Sequence, residues 1–320
     1  MTTAFTFPGQ GSQTVGMGRT LADAYPEARA VFDEVDEALG ERLSTVIWEG
    51  PAETLTLTQN AQPALMAVSL AAIRVLAAQG VTVAGTASFV AGHSLGEYSA
   101  LAAAGSLTVA DAARLLRTRG QAMQEAVPVG AGAMAALIGL ELGAVEEIAA
   151  EAAEGAVCAA ANDNGGGQVV VSGDKAAVER AVAIAKDRGA KRAVLLPVSA
   201  PFHCPLMAPA AKVMEEALAK VDIAAPVVPV VANVTAQPTT DPDAIRRNLV
   251  DQVTGMVRWR ESVAWMADAG VDLFVEIGSG RVLSGLARRI ASGAETMTVG
   301  TDEDIKAAVE RLAVSEVNSV

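Results

Sequence analysis

Aromatic side chains are scarce, 3% of 320 residues, so any core must be packed from Ala, Val, Leu and Met. Hydrophobic residues still reach 51%, enough for a sizeable core, and the length predicts two domains or one large domain carrying an insertion. Two cysteines, Cys158 and Cys204, and two histidines, His93 and His203, are the whole supply of those types. That excludes a disulfide framework or zinc cluster and argues against a metal centre on donor count. Positive charge is also in deficit. A net charge of −13 argues against a nucleic-acid surface, because phosphate backbones demand a basic one. No Gly-Lys pair occurs, so the P-loop is missing, and the glycines at 9, 11, 16 and 18 do not fit G-x-G-x-x-G. No run of 18 apolar residues is unbroken by Gln, Asn, Ser or Gly. The N-terminal MTTAFTFPGQGSQ lacks the basic and apolar regions of a secretory signal. The expectation is a soluble, cytoplasmic protein with no membrane or nucleic-acid partner.

What is present centres on residues 87–105, ASFVAGHSLGEYSALAAAG. Gly92-His93-Ser94-Leu95-Gly96 matches the G-x-S-x-G nucleophile elbow. Ala87 to Ala91 reads as a short buried strand and Leu95 to Ala104 as an Ala/Leu-rich helix. A strand that turns directly into a helix strains the linking residue and lifts the Ser94 hydroxyl above the helix N-terminus. The free N–H groups and positive dipole there suit an oxyanion. A glycine-bounded turn holding an ordinary serine is the alternative.

Taken in order, Ala4 to Phe7 reads as a first buried strand that ends at the Pro8–Gln13 loop, a natural wall for a site in an open sheet. Helices are predicted from Leu21 to Leu39 and from Pro63 to Gln79, the second with Pro63 at its first position and Gly80 past its end. Thr108 and Asp111 resemble a capping box opening a helix to about Ala126. On that helix Val109, Ala112, Ala113, Leu115, Leu116 and Met123 share one arc, and Arg119 falls among them. A guanidinium there needs an anionic partner or a wet cleft. It is either a structural ion pair, a snorkelling side chain, or a clamp for a substrate carboxylate.

Residues 127–197 alternate as β-α-β-β-α-β, which predicts a ferredoxin-like subdomain. It would be inserted into a larger unit formed by 1–126 and 198–320. Asn162 to Gly167 reads as the turn between its central strands. Ser199 to Pro205 then returns the chain to the large unit. A serine nucleophile needs a base, and His93, its peptide neighbour, points the other way. That leaves His203, in the Ser-then-His order of α/β-hydrolase arrangements. Strands at Val227–Val231 and Val271–Ile277, a helix opening at Asp241-Pro242, and a helix bearing Arg288 and Arg289 complete the chain, with fraying expected after Asn318.

The segments FPGQGSQ (7–13), GHSLGEYSAL (92–101), Arg119-Gly120, MQEAVP (123–128), SAPFHC (199–204) and NLVDQV (248–253) resemble the malonyl-CoA:acyl carrier protein transacylases of fatty acid synthesis. They occur in order along essentially the whole chain. The resemblance implies an α/β fold with an α/β-hydrolase-like large subdomain and a ferredoxin-like insert, acting as a monomer without a cofactor. It implies that Ser94 is malonylated, that His203 is the base, and that the N–H groups of Gln10 and Leu95 form the oxyanion hole. Arg119 would hold the malonyl carboxylate. A backbone carbonyl near the segment containing Gln252 would orient the histidine, against a conventional triad through Asp251. Asn162 and Asn164 become candidate contacts for coenzyme A or pantetheine. Lys191, Arg192, Arg288 and Arg289, with Lys186 and Arg188 beside them, become candidates for docking an acidic carrier protein. Phe202 beside His203 resembles the malonyl-selective acyltransferases. The rival readings are a serine esterase or thioesterase, and a non-catalytic acyl-binding subunit.

Overall fold

The computed structural model describes residues 1–317. Ten strands occur among them: β1 (Thr3–Phe7), β2 (Ala87–Gly92), β3 (Gly132–Ile138), β4 (Cys158–Asp163), β5 (Gln168–Asp174), β6 (Arg192–Leu195), β7 (Val230–Val231), β8 (Pro238–Thr239), β9 (Leu273–Ile277) and β10 (Glu295–Val299). They form two sheets in a mixed α/β architecture.

The larger sheet has the order β10-β9-β1-β2-β7-β8. All neighbours are parallel except the β7–β8 pair at one edge. Every residue of β1 is buried, as a strand covered by helices on both faces requires. Its alternation divides the core. Phe5 and Phe7 point into one cluster with Val90 and Val275, while Ala4 faces the other with Ala91 and Phe274. The longest helix among the described residues, Thr58–Ala78, shares the cluster of Phe5 and Phe7. Its mean hydropathy of 1.6 and its length would suit a membrane span, but 83% of that stretch is buried against the rest of the protein.

Two helical expectations need correction. The predicted Leu21–Leu39 helix is two helices, Arg19–Ala24 and Pro26–Leu39. Proline forces the residue before it into extended backbone, and Tyr25 sits at φ −129° and ψ 120°. The helix expected to open at Pro63 begins at Thr58, with Pro63 inside it. Packing overrides the proline: a Cβ on Gly120 would come within 2.4 Å of Gln59 Cα, so two helices are in backbone contact where that extra turn forms. The capping expectation at Thr108 describes the structure well, since its hydroxyl oxygen accepts the Asp111 N–H at 3.0 Å. The strand predicted over 227–231 shortens to Val230–Val231. Strand β10 and the Asp302–Val317 helix had no counterpart in the sequence reading. The fraying expected after Asn318 lies outside the described residues.

The smaller sheet is antiparallel throughout, in the order β4-β5-β3-β6. Helices Leu142–Ala153 and Lys175–Asp187 pack on one face through Val145, Ile148, Val178 and Ala181 against Ala135, Leu137, Val169 and Val171. The opposite face sends Met134, Ala136 and Val170 into the large core. Backbone bonds stitch the seam: Asp163 N–H donates to Val257 O, and Val257 N–H to Ala161 O, both at 2.9 Å. The seam brings the end of β4 beside the end of β2, and a cleft opens between the two units.

Candidate active site

The cleft takes its shape from the turn after β2. Ser94 has φ 53°, the left-handed conformation that non-glycine residues adopt only when their surroundings hold them there. Space on either side of it exists only because of glycine. A Cβ on Gly92 would lie 1.8 Å from Gly96 O, and one on Gly96 would lie 2.2 Å from Phe7 O. The helix Gly96–Ala103 therefore packs directly against β1 and β2, with its N-terminus under the serine. His93 turns away, its Nε2 2.9 Å from Asn164 Oδ1 and its ring 5.6 Å from that of Trp259.

Ser94 Oγ lies 2.8 Å from His203 Nε2, and His203 Nδ1 lies 2.8 Å from the backbone carbonyl of Gln252. A carbonyl only accepts, so Nδ1 carries the proton and Nε2 is free to take one from the serine hydroxyl. Burial, followed by the nearby Arg119 charge, pushes the imidazole down to about 3. The ring is therefore a neutral base at physiological pH. Asp251, the alternative triad acid, is exposed on the Pro242–Thr254 helix. The third position is occupied by a peptide carbonyl instead.

Arg119 is 2% exposed and reaches the serine from the Val109–Glu125 helix. Its Nη2 donates to Ser94 Oγ at 3.1 Å and to Gln252 Oε1 at 2.8 Å, and Nη1 donates to Gln62 Oε1 at 2.8 Å. None of these acceptors is a carboxylate, and the Arg119 Nε is buried without an acceptor. Its direct acceptors are all neutral oxygens, with the Glu97 carboxyl acting on it only from beyond Gln252, which leaves the guanidinium open to an anion.

Three further residues complete the network, none of them singled out by the sequence reading. Gln62 accepts from Arg119. Asn233 spans the elbow, its Oδ1 taking Ser94 N–H and its Nδ2 donating to Gly92 O, both at 2.7 Å. Glu97 accepts from Gln252 Nε2 at 2.7 Å and from Asn233 N–H at 3.1 Å. Burial raises its carboxyl to about 7. Glu97 had a signal, being the one charge in the helix GEYSALAA. Asn233 sits among ordinary turn formers and had none.

The cleft over Ser94 holds ≈ 440 Å³ and is lined by Gln10, Arg119, Met134, Asn162, Phe202 and His203 among others. No protein acceptor among the described residues takes the N–H of Gln10 or of Leu95. Asn162 reaches the cleft. Asn164 is instead engaged with His93. Lys191, Arg192, Arg288 and Arg289 are exposed, but Arg288 turns to β10, its Nε donating to Thr296 Oγ1 at 2.6 Å. Arg289 lies over Gly166, and Lys191 over Gly139, which bonds Gly167. No cluster of His, Cys, Asp or Glu suited to a metal ion occurs among the described residues.

A strained serine on a strand-to-helix turn, a histidine base and unpaired backbone donors define the serine acyl-transfer and hydrolase class. The family model described as "Acyl transferase domain" matches residues 4–312. The chain is 45% identical over 317 residues to the malonyl CoA-acyl carrier protein transacylase of Bacillus subtilis, covering 99% of each chain. The crystal structure of an acyl-carrier-protein S-malonyltransferase from Bartonella henselae is 59% identical, with a TM-score of 0.96 over 98% of this chain and 100% of that one. A malonyl-transacylase solved in complex with a type II PKS acyl-carrier protein is 43% identical, with a TM-score of 0.94 over 97% and 100%. The chain belongs to the acyl transferase family and, within it, to the malonyl CoA-acyl carrier protein transacylases.

Proposed function

We propose that this protein moves the malonyl group of malonyl-CoA onto the phosphopantetheine thiol of acyl carrier protein through a malonyl-Ser94 intermediate, supplying fatty acid elongation. The observation that carries this reading is Arg119, a buried cation with no ion-pair partner among the described residues, 3.1 Å from the nucleophile. A simple esterase has no need of it. Its fork geometry suits a carboxylate held bidentately.

The reaction is ping-pong. Ser94 Oγ attacks the thioester carbonyl carbon while His203 Nε2 takes the hydroxyl proton. The charge gathers on the carbonyl oxygen, between the N–H groups of Gln10 and Leu95. The C–S bond breaks, and His203 returns the proton to the leaving coenzyme A sulfur. The carrier thiol then attacks the acyl-serine by the same steps, giving its proton to His203, which passes it to Ser94 Oγ as the C–O bond breaks. Water must be kept from the acyl-serine meanwhile, and the cleft walls, Met134 and Phe202 among them, provide an apolar surround.

The strand order and insertion point support an α/β-hydrolase-like unit of 1–126 and 198–320 with a ferredoxin-like insert of 127–197. A parallel sheet with the serine at a central strand end fits the first. A four-stranded antiparallel sheet of β-α-β-β-α-β sequence fits the second. In this reading Asn162 contacts pantetheine directly, whereas Asn164 acts through His93. The carrier docks over Lys191, Arg192, Arg288 and Arg289. The enzyme works in the cytoplasm as a monomer and needs no prosthetic group.

Intact-mass measurement after brief exposure to malonyl-CoA or acetyl-CoA tests the reading. Wild type gains one malonyl group and Ser94→Ala gains none. Arg119→Ala loses malonyl loading much more than acetyl loading. Equal losses for both acyl groups would remove Arg119 as the clamp, and rapid hydrolysis in place of transfer would favour a thioesterase.

A further inference from the structure

We propose that Glu97 is a positioning residue: its carboxylate decides which end of the Gln252 amide faces Arg119, and so sets the clamp for acyl groups that carry a carboxylate. The inference rests on the transacylase reading above. The two ends of a glutamine amide are nearly the same size, yet only the oxygen can receive a guanidinium N–H. Gln252 Oε1 faces Arg119 Nη2 at 2.8 Å because the NH2 end is held elsewhere, by Glu97 Oε2 at 2.7 Å and by Ser94 O at 3.0 Å. A carboxylate has no donor to offer, so Glu97 enforces that orientation.

The same Oε2 accepts the Asn233 N–H at 3.1 Å, and the Asn233 side chain grips the peptides on either side of the nucleophile turn. One oxygen thus ties two distant segments to the elbow helix. Glu97 is 2% exposed and touches no cation directly, the Arg119 charge acting on it through Gln252. A buried carboxylate of this kind is a cost to stability that an apolar residue would avoid. The rest of its helix is uncharged. Burial raises its carboxyl to about 7, while the Asn233 N–H, the Gln252 amide and the Arg119 charge all favour the ionised, acceptor-only form. Both bonds use Oε2, so a glutamine could place its carbonyl oxygen there and keep them. The Asn233 N–H favours that end.

The test compares acylation of Ser94 by malonyl-CoA and by acetyl-CoA in wild type, Glu97→Met and Glu97→Gln, each as the full chain. Losing a buried hydrogen bond that orients a charged donor should lower the malonyl-to-acetyl rate ratio about tenfold in Glu97→Met. Glu97→Gln should restore it to near the wild-type ratio. Equal slowing of both acyl groups in Glu97→Met, or failure of Glu97→Gln to rescue, would overturn the proposal. Should Glu97→Met not fold, Glu97→Asp is one methylene too short to hold both bonds and carries the same test: a lowered ratio is expected, an unchanged one refutes. Absence of any malonyl adduct in wild type would instead defeat the transacylase reading itself.

Discussion

At His203 a peptide carbonyl stands where many serine enzymes place a carboxylate. The carbonyl fixes the tautomer but brings no full negative charge, so it does little to stabilise the imidazolium. Burial and the Arg119 charge then hold the ring down to about 3. A lowered histidine pKa keeps the base neutral at every pH above it. The rate of Ser94 acylation by acetyl-CoA, which bypasses the clamp that Glu97 sets and so its titration at about 7, followed by quenched mass measurement, should therefore show no histidine inflection near 6.5 between pH 5 and 8. An acid limb centred there would refute this. A malonyl carboxylate seated on Arg119 offsets the second-largest cause, so the His203 pKa should rise on malonylation, as NMR titration of the ring would show. Ser94, His203 and Arg119 were legible in the sequence because each is conspicuous: a motif serine, one of two histidines, a cation on an apolar arc. The choice between Asp251 and Gln252 was not legible from residue type, because a main-chain carbonyl belongs to every residue. The family resemblance pointed to it, and the geometry at Nδ1 agrees.

The strand-to-helix elbow is an element built from missing side chains. A methyl group on Gly92 would enter the backbone of Gly96 at 1.8 Å, and no side-chain rotation relieves that. Gly92→Ala should cost about 3 kcal/mol or more, beyond ordinary overpacking, and be seen as a large drop in Tm or no folded protein. Gly143 is the control. It lies exposed in the first turn of the Leu142–Ala153 helix with open space around it. Gly143→Ala should raise stability by about 0.5 kcal/mol through helix propensity alone. At this scale, elements whose own periodicity decided them were legible, such as the capped Val109–Glu125 helix. Those decided by contact were not. The early start of the Thr58–Ala78 helix depends on Gly120 of another helix, which no local pattern around Pro63 reveals.

Across the whole molecule, acidity and function pull in opposite directions. A chain of net charge −13 must dock an acidic carrier through a local exception, and the exposed Lys191, Arg192, Arg288 and Arg289 are the proposed one. Charge reversal at Lys191 and Arg289 together should slow transfer to the carrier several-fold and slow loading from malonyl-CoA less. The gap should narrow as added salt screens the interaction, within about a Debye length of 10 Å at 0.1 M. Measuring the two half-reactions separately across ionic strength checks this. Equal effects on both halves would move the docking surface elsewhere.

Ser94, the proposed nucleophile, lies in the first third of the chain, but the groups proposed to make it reactive come much later. Asn233 and Gln252 stand 139 and 158 residues beyond it, and β1 waits for β9 to complete its pairing. As a ribosome delivers the chain from its N-terminus, Ser94 emerges long before its base is oriented or its clamp assembled. Contacts so distant in sequence close late because the intervening loop must first be ordered. A nascent or truncated chain ending before residue 252 therefore carries the serine without the means to use it. Catalytic competence in this protein is a certificate that synthesis and folding have both run nearly to their end.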